Sequence, residues 1–213
     1  MGVQTQYDIY KSDGGAIYSL RRTLQKNPEA IPMGPPPSDF GLAAWTSDSL
    51  DWTLATQAIV SGTLYAVQFT LQATTSVAKV GLLLGTTAAV TAGTYSGLAL
   101  YTYDTTTLTK LSDTGATDSA KWVTAGASGY VEDSLAAVQN LSPGKYYGAF
   151  IAAFSGTMPT IVSSPLPVPA IAIKGTTVKR VLTLAAQTSF PTTLTVASMS
   201  AGSFVPVFGI ASS

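Results

Sequence analysis

The chain contains no cysteine and no histidine, and these two absences close most routes to chemistry before any motif is considered. Without cysteine there is no disulfide framework, so an oxidising compartment is not required. Without histidine there is no Ser-His-Asp or Cys-His arrangement, and a Cys/His zinc or copper site lacks its ligands. Charge is scarce as well. Lys, Arg, Asp and Glu make up 10% of the 213 residues, where about a quarter is usual. The formal net charge is +0 and the pI about 6.1, so there is no basic footprint for nucleic acid or an anionic membrane. Low net charge also withdraws the self-repulsion that holds proteins apart in solution, which favours an oligomer.

Long hydrophobic runs are missing too. No stretch reaches the ~18–20 apolar residues of a membrane span, and the start, Met1-Gly-Val-Gln-Thr-Gln-Tyr-Asp8, has neither the basic head nor the apolar run of a signal peptide. The expectation is a chain made in the cytoplasm, without membrane insertion.

What is present divides near residue 38. Residues 1–37 carry Lys11, Arg21, Arg22 and Lys26 against Asp8, Asp13 and Glu29, and end in Asn27-Pro-Glu-Ala-Ile-Pro-Met-Gly-Pro-Pro-Pro37. Closely spaced prolines fix φ and remove donors, so this tract reads as a stiff, extended spacer. Ahead of it the apolar residues are too few to build a core. The segment reads either as a disordered terminus or, the reading preferred, as an anchoring arm that packs on a neighbouring chain. Its gripping residues would be Tyr7, Ile9, Tyr10, Ile17, Tyr18, Leu20, Arg21 and Arg22.

From residue 38 to 213 the pattern is β throughout. In Thr63-Leu-Tyr-Ala-Val-Gln-Phe-Thr-Leu71, Tyr65, Val67, Phe69 and Leu71 fall on one face at period two. Further strands are predicted at Ala43–Thr46, Ala78–Leu84, Gly97–Tyr103, Thr107–Leu111, Lys121–Thr124, Lys145–Phe154, Val178–Leu184 and Ser203–Ile210, separated by Gly, Pro, Asp and Ser. Leu141-Ser-Pro-Gly-Lys145 is a turn, and no helical apolar stripe persists for three turns. The fold class is all-β: a jelly-roll-like β-sandwich preceded by an extended N-terminal arm.

Candidate chemistry is weighed motif by motif. Ser76–Lys79 and Ser142–Lys145 match Ser-x-x-Lys, but the motif needs a helical turn, and one enters a strand while the other contains Pro143-Gly144. The close acidic pairs, Asp48/Asp51 and Glu132/Asp133, sit in loop-like sequence without an opposing partner across a cleft. Asp113-Thr-Gly-Ala-Thr-Asp118 lacks the alternating ligands of a calcium loop and reads as an Asx turn. A sugar site needs only an aromatic platform ringed by amides and hydroxyls. Of Trp45, Trp52, Tyr101, Tyr103, Trp122 and Tyr130, the strand residues Trp45 and Trp122 read as core. Trp52 and Tyr130, read as loop aromatics, are the candidate glycan contacts. No catalytic residue, metal or cofactor is expected.

Several stretches, in order, resemble one family. Pro37-Ser-Asp-Phe-Gly-Leu-Ala-Ala-Trp-Thr-Ser-Asp48 is similar to the domain start of β-sandwich minor tail proteins of actinobacterial, mycobacteriophage-like phages. Val60-Ser-Gly-Thr-Leu-Tyr-Ala-Val67 resembles that family's first long strand, and Gly93-Thr-Tyr-Ser-Gly-Leu-Ala-Leu-Tyr101 its next. Trp122-Val-Thr-Ala-Gly126, Leu141-Ser-Pro-Gly-Lys-Tyr-Tyr147 and Ser189-Phe-Pro-Thr-Thr-Leu-Thr-Val196 follow in the same order, covering about residues 37–213. The chain departs in its long charged arm and in Val205-Pro-Val-Phe208, and no ligand site is carried over. The resemblance implies a non-enzymatic virion structural protein, tail favoured over capsid. The expectation is a homo-oligomer, trimer favoured, held to other virion proteins through residues 1–37 and presenting loop tips to host cell-envelope glycans. A capsid decoration or head-fibre protein and a free carbohydrate-binding module are the alternatives.

Overall fold

The computed structural model describes residues 37–46, 56–86, 89–116, 121–122, 129–165, 170–173 and 176–212. The chain divides into two units between Pro35 and Pro36, and every described residue belongs to the second. The arm residues Tyr7, Ile9, Tyr10, Ile17, Tyr18, Leu20, Arg21 and Arg22 lie outside the described residues, as do Trp52, Asp48, Asp51 and Asp118.

After a 3-10 turn at Pro37–Phe40 the described chain is built from strands: β1 (Ala44–Trp45), β2 (Thr56–Ala58), β3 (Thr63–Leu71), β4 (Thr75–Thr86), β5 (Ala89–Tyr103), β6 (Thr107–Asp113), β7 (Tyr130–Leu141) and β8 (Gly144–Thr157). There follow β9 (Thr160–Pro165), β10 (Ala170–Ile173), β11 (Thr176–Lys179), β12 (Val181–Leu184), β13 (Thr193–Thr195), β14 (Ser200–Ala201), β15 (Phe204–Pro206) and β16 (Phe208–Ala211). One sheet runs β1-β16-β4-β9-β15, with β2 added to β9 and β7 to β4; the other runs β13-β6-β5-β8-β3-β12-β14. Strands β10 and β11 pair with each other as a separate ribbon. The molecule is an all-β sandwich, as its patterning predicts.

The two sheets enclose a core of Tyr65, Val67, Phe69, Leu98, Leu100 and Phe150 from the second sheet against Val80, Leu82, Val131, Ile161, Phe204 and Phe208 from the first. The centre of the second sheet is apolar on its other face too. Strand β3 is buried continuously from Thr63 to Val67, and β8 from Tyr147 to Phe154. Leu64, Ala66, Ala99, Tyr101, Tyr147, Ala149 and Ile151 therefore form a second cluster, covered by Phe190, Leu194 and Met199. A strand buried on both faces reads as an unbroken apolar run instead of an alternation, which is the character of Gly-Ala-Phe-Ile-Ala-Ala-Phe154.

Covering that second face forces the sheet to curl. Its edge strands β13 and β14 are joined by only Val196–Met199. The five steps from Thr195 to Ser200 span at most ~18 Å, whereas seven flat strands would hold their edges roughly 29 Å apart. The sheet bends into a half-barrel, and the segment from Ala185 to Met199 crosses its concave face. Backbone bonds from Gln187 N to Gly62 O, Lys110 N to Thr192 O and Val196 N to Thr106 O hold the crossing segment, with a further bond from the Tyr101 hydroxyl to Pro191 O at 2.9 Å.

Several sequence expectations are corrected here. Val178–Leu184 is two strands: Lys179 pairs with Ala170 in the ribbon, while Val181 pairs with Val67 in the second sheet. Ser203–Ile210 is likewise split at Val207, because β15 pairs with β9 and β16 with β4. The buried Thr46 hydroxyl bridges that break, donating to Pro206 O and accepting from Phe208 N at 3.0 Å. Lys121 and Trp122 are helical, not extended, although Trp122 has the core role expected of it, fully buried with its ring edge-on to Phe154 at 5.8 Å. Tyr130, Glu132 and Asp133, read as loop residues, lie in strand β7. Its alternation is hidden by a bulge in which Leu135–Val138 stand opposite Ala78, between the pairs Val77–Gln139 and Lys79–Ser134.

Two positions make the fold testable. A Cβ at Gly148 would lie 2.3 Å from the Phe208 ring, so the sheets touch there through backbone. Gly148→Ala should destabilise the protein by about 1–3 kcal/mol, the scale of an overpacked core, read as a lower denaturant midpoint with an unchanged slope. At the β5–β6 turn, Thr105 has φ +82°, the left-handed region that a β-branched residue resists. Thr105→Gly should raise stability by up to about 1 kcal/mol in the same assay.

Candidate functional site

The sequence candidate that the structure describes, Tyr130, is not in a loop. It opens β7 and pairs with Leu83. Across the outer face of the first sheet, Trp45, Gly209, Gly81 and Glu132 stand opposite one another on β1, β16, β4 and β7. The two central glycines leave a furrow floored by backbone, and the Tyr130 ring fills it. A Cβ at Gly81 would meet the ring at 2.3 Å, and one at Gly209 would meet the Tyr130 hydroxyl at 2.5 Å and Leu42 at 2.9 Å.

That hydroxyl is buried with no hydrogen-bond partner among the described residues. Burial, with Glu132 adding a smaller push, holds the phenol well above its ordinary pKa. Tyr130 is therefore a packing residue of the sheet's outer face, with its hydroxyl atom buried against Gly209. Alternation could not have revealed this role, because the signal is a pair of in-register glycines on strands 128 residues apart in sequence (Gly81, Gly209).

The acidic candidates among the described residues, Glu132, Asp133 and Asp113, are each engaged. Glu132 and Asp133 lie in β7 and bind separate lysines, Lys79 to Glu132 at 3.1 Å and Lys121 to Asp133 at 3.1 Å. Asp113 holds Lys110 at 2.6 Å through one oxygen and accepts from Gly115 N at 2.9 Å through the other, which is the expected Asx turn. Asp104 accepts from Thr106 N, Thr107 N and the Thr106 hydroxyl, and the backbone donors hold its carboxyl below the usual range. Ser142–Lys145 lies across a hairpin turn and Ser76–Lys79 within β4, so neither Ser-x-x-Lys match has the helical turn its chemistry needs. Among the described residues no group of three or more acids could hold a metal ion.

The other aromatic candidates Tyr101, Tyr103 and Trp45 lie within the sheets. Tyr101 is fully buried. Tyr103 lies edge-on to Tyr147 at 5.4 Å and donates to Thr105 O at 3.0 Å. Trp45 is half-buried in β1. Among the described residues the large apolar side chains left exposed are Val60 and Val138.

No protein-family model matches the chain. No curated protein matches it either.

The orphaned hydroxyl gives a sharp test. Removing a buried donor that has no partner removes only its desolvation cost. Tyr130→Phe should leave stability unchanged or raise it by up to about 1 kcal/mol, while Tyr130→Ala, which empties the furrow, should cost about 3 kcal/mol. Loss of stability in the phenylalanine variant would mean that the hydroxyl is bonded in solution.

Proposed function

We propose that this chain is a non-enzymatic virion structural protein, a phage minor tail protein, whose β-sandwich is displayed through residues 1–37 and contributes to attachment at the host surface. The observation that carries this reading is the disposition of functional groups in the sandwich. Each described carboxylate side chain is tied up by a lysine or by its own turn. A stable scaffold without a catalytic constellation suits display better than turnover. The scarcity of charge and the ordered series of stretches similar to actinobacterial tail proteins point the same way.

In this reading the arm supplies attachment to the particle, by strand addition or draping over a neighbour, and repeated copies turn weak contacts into avidity. A homotrimer is the preferred assembly, on the virion tail. Hundreds of copies per particle, in place of tens or fewer, would favour the alternative of a capsid decoration protein.

Deletion of residues 1–37 is the decisive experiment. The truncated chain should melt cooperatively near the full-length temperature yet be missing from purified particles, as judged by mass spectrometry. Normal incorporation of the truncated chain would overturn the anchoring role.

A further inference from the structure

The segment that covers the concave face leaves and rejoins the second sheet at one place. Strand β12 ends at Leu184 and β14 begins at Ser200, and the two pair antiparallel, Leu182 with Ala201 and Thr183 with Ser200. Residues 185–199 are therefore a loop whose ends lie one strand spacing apart, roughly 5 Å. Its root is reinforced by Gly202 N–H, which donates to Val181 O at 3.0 Å. The far end reaches the opposite edge of the half-barrel, where Thr193–Thr195 pairs with Thr107–Thr109 of β6. Root and far end are thus held by different strands, at the two edges of one sheet.

The far end is held by a compact catch. Three consecutive carbonyls are taken in turn: Phe190 O by the Lys110 ammonium at 3.2 Å, Pro191 O by the Tyr101 hydroxyl at 2.9 Å and Thr192 O by the Lys110 N–H at 2.8 Å. The ammonium is aimed by Asp113 at 2.6 Å, whose other oxygen accepts from Gly115 N. Beside this catch the Phe190 ring lies edge-on to Tyr95 at 5.8 Å. The same ring rests on Gly97, where a Cβ would approach it to 3.0 Å. Lys110 is the one residue that grips the segment through both its backbone and its side chain.

Burial along the segment is uneven. Phe190, Leu194 and Met199 are buried, whereas Ala185, Ala186, Thr188 and Ser189 ahead of them and Ala197 and Ser198 between the last two are exposed. Three apolar anchors must offset the ordering of the whole segment. The strands beneath it, β3 and β8, are buried in unbroken runs. A segment with sparse anchors over a dense core opens at a lower free energy than that core.

We infer that residues 185–199 are a hinged flap, which releases from β6 while its root on β12 and β14 stays paired and so uncovers the apolar concave face. Because its ends are already neighbours, opening moves no other strand. Ala186, at φ +57°, is the strained joint at one end. Lys110 is the catch, and the face uncovered is that of Leu64, Ala66, Ala99, Tyr101 and Ile151. The flap is a property of the sandwich and does not depend on where the sandwich is displayed.

The test is native-state hydrogen exchange of the full-length chain across low denaturant concentrations. The amides of Lys110 and Val196, bonded to Thr192 O and Thr106 O, should exchange through a small opening nearly insensitive to denaturant. Amides at the centre of β8 should follow the full slope of global unfolding. Lys110→Met should speed exchange at Val196 about fivefold, the scale of one net hydrogen bond. The same variant should melt cooperatively yet bind more anilinonaphthalene sulfonate, a dye that reports exposed apolar surface. Adding Thr109→Cys and Thr193→Cys, partners across β6 and β13 in a chain with no other cysteine, allows a disulfide to lock the flap. Oxidation should then abolish the extra dye binding, and reduction should restore it. Exchange at Lys110 and Val196 with the denaturant slope of β8 would overturn the flap, as would extra dye binding that the crosslink leaves unchanged. The wild-type exchange decides the matter if Lys110→Met does not fold.

Discussion

The fold depends on one constraint: strands β3, β5 and β8 are apolar on both faces at the centre of their sheet. A sheet with one apolar face needs a single partner. A sheet with two needs a second cover, and this chain supplies it from its own residues 185–199 by bending the sheet until β13 and β14 nearly meet. The curl, the short edge strands and the second cluster all follow from that requirement. Ala186, at φ +57°, lies where the chain leaves β12 to begin the crossing, so backbone strain falls at the turn that starts the cover.

The same constraint limits how much sheet edge this charge-poor sandwich exposes. In the half-barrel both edges, three and two residues long, are joined to each other. In the flatter sheet the long edge is β7, and it carries Glu132, Asp133 and the Leu135–Val138 bulge, the devices that blunt an edge. Two of the three described ion pairs involve this one strand. Charge is spent where backbone groups would otherwise recruit a partner, and each pair is worth little to stability on its own.

How much of this was legible in the sequence follows from what each feature depends on. Strand β3 and the run in β8 were readable because their apolar pattern is local. Strand β7 was not, since its bulge resets the period and its acids imitate a loop. The breaks at Arg180 and Val207 were hidden because each depends on which sheet the chain joins next, a non-local choice that leaves the β-branched composition unchanged. Tyr130 illustrates the hardest case. Its neighbours in sequence say loop aromatic, while its environment is set by Gly81 and Gly209, which meet only once the sheet has formed.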